Sequence, residues 1–144
     1  ENDDGLADGW HYQRRSRLVG AGAHVGERSI CFENDEPGRS AHMLQGLALD
    51  GSQVPHLTVT WSYRADDIGP GAGPREAPFI AVHFFDADRL PCGRVVLGPF
   101  GDQPEWRTQT QRIEIPETCR EAIVQAGLNG ATGRLCLDDL SLTP

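Results

Sequence analysis

The stretch from His56 to Arg64 alternates without a break. Leu57, Val59, Trp61 and Tyr63 fall on one side, and Thr58, Thr60, Ser62 and Arg64 on the other. A period of two is that of a β-strand with one buried face and one wet face. A sheet built from such strands needs a second layer to cover its apolar side. Phe79 to Asp86 reads as another strong strand, with Ile80, Val82 and Phe84 on one face and Phe79, Ala81, His83 and Phe85 on the other. Both faces carry bulk there. One is core, and the other is either covered by a loop or left as an apolar patch.

Shorter segments with strand character follow the same rhythm: Ser29–Phe32, Ala41–Leu49, Arg94–Leu97, Arg107–Ile115, Ala122–Leu128 and Gly133–Leu142. Turn signals such as Asp50-Gly51 and Asn129-Gly130 separate them. Residues 65–78 hold three Gly and three Pro without hydrophobic pattern and read as a long loop. The 144 residues suffice for one domain with a proper core and are too few for two ordinary ones. The expectation is an all-β chain folded as a sandwich or jelly roll.

A net charge of −8 argues against a nucleic-acid partner or an anionic membrane surface. No apolar run approaches a membrane span, so no membrane insertion is expected. No catalytic motif is present: there is no Gly-x-Ser-x-Gly, phosphate loop, His-Glu-x-x-His or EF-hand loop. The chain is therefore not expected to be an enzyme. Its four cysteines form no Cys-x-x-Cys pair, which disfavours a zinc site.

The closing segment, Gly133-Arg134-Leu135-Cys136-Leu137-Asp138-Asp139-Leu140-Ser141-Leu142, alternates up to Asp138 and changes phase at Asp139. Adjacent carboxylates are costly in a strand. Either a hard cation such as Ca²⁺ offsets them, or they are solvated charges on an edge strand.

This closing segment resembles the last strand of the jelly-roll carbohydrate-binding modules of families 4, 16 and 22, within the wider galactose-binding-domain-like fold. Three further stretches are similar to that family: the acidic opening from Glu1 to Gly9-Trp10, Gly26-Glu27-Arg28-Ser29-Ile30-Cys31-Phe32, and Trp106 with Gln111-Arg112-Ile113-Glu114-Ile115-Pro116. The resemblance covers nearly the whole chain and implies a galactose-binding-domain-like jelly-roll β-sandwich. Residues 1–144 are then a single domain excised from a longer exported protein.

The resemblance further implies a structural Ca²⁺ held by Asp138, with Glu1, Asn2 or Asp3 beside it and Asp139 as the alternative ligand. In the family, the strands bearing Cys31 and Cys136 are neighbours. A Cys31–Cys136 bridge follows, leaving Cys92 with Cys119; the alternative is four reduced thiols. Disulfides would place the protein in a secreted, periplasmic or cell-surface setting.

The expected function is that of a non-catalytic carbohydrate-binding module, with a polysaccharide or glycan and the other domains of its parent protein as partners. Hydroxyl, aromatic and cationic side chains that could meet a sugar are Thr60, Ser62, Arg64, His83, Phe85 and Arg112. The three Trp residues read as core. The alternative is an interaction or spacer sandwich without a glycan ligand, favoured if a loop covers Phe79, His83 and Phe85. A weaker possibility places a second Ca²⁺ among Asp66, Asp67 and the Asp86–Asp88 turn.

Overall fold

A computed structural model describes residues 7–20, 22–24, 26 and 28–144. The described residues form nine strands: β1 (Ser16–Val19), β2 (Ser29–Asn34), β3 (His42–Ala48), β4 (His56–Gly69), β5 (Phe79–Phe85), β6 (Pro91–Leu97), β7 (Gln103–Glu114), β8 (Glu121–Gly127) and β9 (Thr132–Thr143). They make two antiparallel sheets, ordered β1-β2-β9-β4-β7 and β3-β8-β5-β6. The jelly-roll sandwich expected from the sequence is what forms.

The alternation decides which residues lie between the sheets. Leu57, Val59, Trp61, Tyr63 and Ala65 of β4 join Ile80, Val82 and Phe84 of β5, Val124 of β8, and Leu135 and Leu137 of β9 in the core. Phe100, between β6 and β7, closes this core. It stacks on Tyr63 with ring centroids 4.6 Å apart and tilts against Trp61 at 6.1 Å. Burying such side chains is worth about 1.5–3 kcal/mol each relative to exposure. A buried Asn34 ties β2 to the β8–β9 turn. Its Nδ2 donates to the carbonyls of Glu36, Arg39 and Ala131 at 2.8, 3.3 and 2.9 Å.

Two boundaries differ from the sequence reading. β4 runs on to Gly69, so the long loop shrinks to residues 70–78. Polar Asp66 and Asp67 hide this extension, because they sit where the pairing with β9 becomes irregular. β7 begins at Gln103, ahead of the expected Arg107, and so includes Trp106.

The phase change at Asp139 is a β-bulge. Ser62 pairs with Asp138 and Thr60 with Ser141, so β9 carries one extra residue. Asp139 absorbs it with a φ of 52°. This left-handed region is tolerated by Asp and Gly and is poor for β-branched residues. Asp139→Val is therefore expected to cost about 1–2 kcal/mol, whereas Asp139→Gly should stay within about 1 kcal/mol of the parent in urea unfolding.

Candidate functional site

Pairing partners in an antiparallel sheet share a face. The outer face of the five-stranded sheet therefore collects the even-numbered half of β4. Thr58 pairs with Arg112, Thr60 with Thr110 and Ser62 with Thr108 of β7. On the other flank of β4, Arg64 pairs with Cys136, Ser62 with Asp138 and Thr60 with Ser141 of β9. Cross-strand hydroxyl bonds run along this face, although Ser62 itself is fully buried. Thr60 Oγ1 lies 3.1 Å from Thr110 Oγ1, and Ser62 Oγ lies 2.7 Å from Thr108 Oγ1.

Beneath this face, Cys31 of β2 is disulfide-bonded to Cys136 of β9. Both sulfurs leave the apolar side of their strands, because Ile30, Phe32, Leu135 and Leu137 take the inward positions. Cys92 and Cys119 are free thiols, so the second bridge is not formed. Burial pushes the Cys119 thiol up, and the neighbouring Cys92 adds to the effect.

The chain between β1 and β2 reaches across this face at two described points. Trp106 Nε1 donates to the Gly22 carbonyl at 2.7 Å, and the His24 backbone N–H donates to Asp138 Oδ2 at 3.0 Å. The His24 ring lies 5.5 Å from the Trp106 ring, tilted by 36°, and its Nε2 is 3.4 Å from Thr108 Oγ1. The Arg64 guanidinium sits over the same Trp106 ring, with Cζ 5.3 Å from its centroid. An indole, an imidazole and a guanidinium thus stand together beside a row of hydroxyls.

The six residues read as one sugar-binding set do not share one surface. Thr60, Ser62, Arg64 and Arg112 are on the outer face of the five-stranded sheet. His83 and Phe85 are on the outer face of the four-stranded sheet, on the far side of the core. The strands alternate correctly in both cases. What sequence periodicity lacks is the assignment of β4 and β5 to different sheets. His83 Nε2 is 3.0 Å from Gln125 Oε1, and Phe85 sits half-buried beside Glu121 and Ile123. Phe79 is buried, with Arg94 Cζ 5.6 Å from its ring centroid.

Trp106 corrects the expectation that all three Trp are core. Trp61 is 2% exposed and Trp10 packs on the core, whereas Trp106 is half-buried on the polar face. Its parity with Thr108 and Thr110, both expected to face outward, was the available signal. His24 carried none, because its position depends on a loop.

The expected Ca²⁺ ligands are only partly in view. Glu1, Asn2 and Asp3 lie outside the described residues. Asp138 Oδ2 accepts the His24 N–H, and Oδ1 accepts the Asp139 N–H at 2.8 Å. These donors offset the cost of a carboxylate in a strand. Asp139 is exposed at the bulge. Among the described residues, no three His, Cys, Asp or Glu side chains gather in a way that could hold a metal ion. Asp66 and Asp67 lie near Gly133 and Arg134, whereas Asp86 caps the β5–β6 turn by accepting from the N–H groups of Asp88 and Leu90. These acids do not meet in one site.

Known structures place this geometry. A family 16 carbohydrate-binding module matches with a TM-score of 0.59 and 16% identity over 95% of this chain and 92% of its own. The fold is that of the jelly-roll carbohydrate-binding modules. A family 61 module in complex with β-1,4-galactotriose matches with a TM-score of 0.53 and 19% identity, covering 96% of this chain and 90% of that one. The CBM22-1–GH10 modules of a Clostridium thermocellum endo-1,4-β-D-xylanase, complexed with xylohexaose, match with a TM-score of 0.65 and 15% identity. There 94% of this chain corresponds to 26% of the longer one. No protein-family model matches the sequence, and no curated protein does. At these identities the likeness is one of fold.

Proposed function

We propose that this domain is a non-catalytic carbohydrate-binding module whose ligand face is the outer surface of the five-stranded sheet. The observation that carries the reading is Trp106. It is half-buried on the outer face of this sheet, in line with exposed Thr108 and Thr110 and half-buried Thr60. Sugars are bound by packing their C–H faces on aromatic rings while polar side chains pair with their hydroxyls. Modules of this fold have been solved with xylohexaose and galactotriose, which supports a β-linked polysaccharide as the ligand class. Affinity electrophoresis through gels containing xylan, mixed-linkage glucan or galactan tests this. Retardation in at least one gel is expected, and free migration in all of them would sink the reading.

An exported setting, beside further domains of a longer protein, belongs to the same proposal. The Cys31–Cys136 disulfide supports it, because such bonds persist in oxidising compartments. The rival role of interaction or spacer domain draws on the four-stranded sheet, whose outer face shows half-buried Leu44, Phe85 and Ile123 and exposed Val96. A structural Ca²⁺ at the Asp138–Asp139 bulge is also proposed, resting on the chemistry of these two carboxylates. Any ion bound only by the folded state raises its stability by mass action. A melting temperature higher in Ca²⁺ than in chelator is the expected result, and identical melts would remove the ion.

A further inference from the structure

We propose, resting on the carbohydrate reading above, that the site prefers an acidic saccharide and that Arg64 is the residue that reads its anionic group. The shared chemistry is a carboxylate or a sulfate ester on a sugar.

The argument begins with charge matching on this face. β1, β4 and β9 turn Arg17, Arg64 and Arg134 outward. Arg17 and Arg134 share one carboxylate, lying 3.0 and 3.4 Å from Glu33 Oε1. Among the described residues, no carboxylate ion-pairs with Arg64, whose guanidinium meets the Trp106 ring instead. The Arg64 backbone pairs with Cys136 on one side and stands at an irregularity in the β4–β7 pairing on the other.

The guanidinium is also held in place. Its Cζ lies over the Trp106 ring. Gly22 approaches it closely: a Cβ there would stand 3.3 and 3.5 Å from the two terminal nitrogens. Gly22 has a φ of 74°, so glycine suits both the backbone and the space. Trp106 in turn is anchored by its bond to the Gly22 carbonyl.

A guanidinium carries five N–H donors in a rigid fork that fits planar oxyanions bidentately. Stacking it on an indole limits the freedom lost on binding, since the fork is already oriented. All thirteen cationic residues of this chain are arginine, and the net charge is −8. Arg64, oriented over Trp106 beside the hydroxyl row, and Arg112 on the same face are therefore cationic positions on a chain that is acidic overall. A neutral glycan would leave the Arg64 charge unanswered, and an anionic sugar unit packed beside Trp106 would answer it.

The test compares polygalacturonate, its methyl-esterified form, a sulfated galactan and a neutral galactan by isothermal titration at about 0.15 M salt, where exposed long-range charge effects are screened beyond about 8 Å. The unmodified domain should bind one acidic polymer at least tenfold tighter than its neutral counterpart. Preference for polygalacturonate over its ester assigns the carboxylate, and preference for the sulfated over the neutral galactan assigns the sulfate. Arg64→Gln should abolish the preference, lowering affinity for the acidic polymer by at least tenfold and for the neutral polymer by a smaller factor. Arg64→Lys should retain only part of the preference, because it keeps the charge and loses the fork. A thermal melt of each variant separates this effect from unfolding. Equal binding of acidic and neutral polymers, or an equal loss for both in a folded Arg64→Gln, would overturn the role of Arg64 and leave the carbohydrate reading intact. Absence of binding to every polymer would overturn both.

Discussion

Replacing Cys136 by serine is expected to lower the melting temperature by about 10 °C or more. The bond it removes joins residues separated by 105 positions and ties the second strand to the last. Cross-linking a loop of about 100 residues restricts the unfolded chain by roughly 4–5 kcal/mol in the chain-entropy model. That is a large share of the roughly 5–15 kcal/mol by which domains are stable. Both cysteines are 1% exposed, so the site is packed as well as bonded. The double change Cys31→Ser/Cys136→Ser should fall by about as much as either single change, because each single variant already breaks the bond. Reductant should shift the unmodified domain in the same direction. A melt insensitive to reductant would mean that the two sulfurs are not bonded in solution.

Trp106→Ala is expected to weaken polysaccharide binding by a factor of ten to a hundred or so, or about 1.4–2.8 kcal/mol, with a much smaller effect on the melt. Three contributions act together. The ring surface offered to the sugar is lost. The Gly22 carbonyl loses its donor, loosening the segment that carries His24 over the face. The Arg64 guanidinium loses the ring that orients it. The fold should tolerate the change, because Trp106 sits in the edge strand β7 and outside the core. Titration calorimetry with the polymer that retards the domain most gives the number. An unchanged affinity would move the ligand elsewhere on the surface.

The sheet faces were legible in the sequence because alternation is a local property. His56 to Arg64, Phe79 to Phe85 and Leu135 to Leu137 each show which side chains lie together. The phase change at Asp139 announced the bulge. The partition of strands between sheets was not legible, since it depends on pairings between distant segments such as Arg64 with Cys136. That is why His83 and Phe85 were grouped with Thr60, Ser62, Arg64 and Arg112, although the core separates them. Trp106 reads as structural from its match to a Trp that the resembling family buries near a sheet edge; its outward parity is the better guide. The extension of β4 to Gly69 was hidden because Asp66 and Asp67 interrupt the apolar pattern at an irregular pairing.

The ligand face itself is the point to measure first. Backbone and side-chain chemical shifts should be followed by NMR as a soluble oligosaccharide of the retarding polymer is added. Shifts concentrated at Trp106 Nε1, His24, Arg64, Ser62 and Thr108, with His83, Phe85 and Ile123 unmoved, are the predicted result. Shifts concentrated at His83, Phe85 and Ile123 would contradict it and place the ligand on the four-stranded sheet.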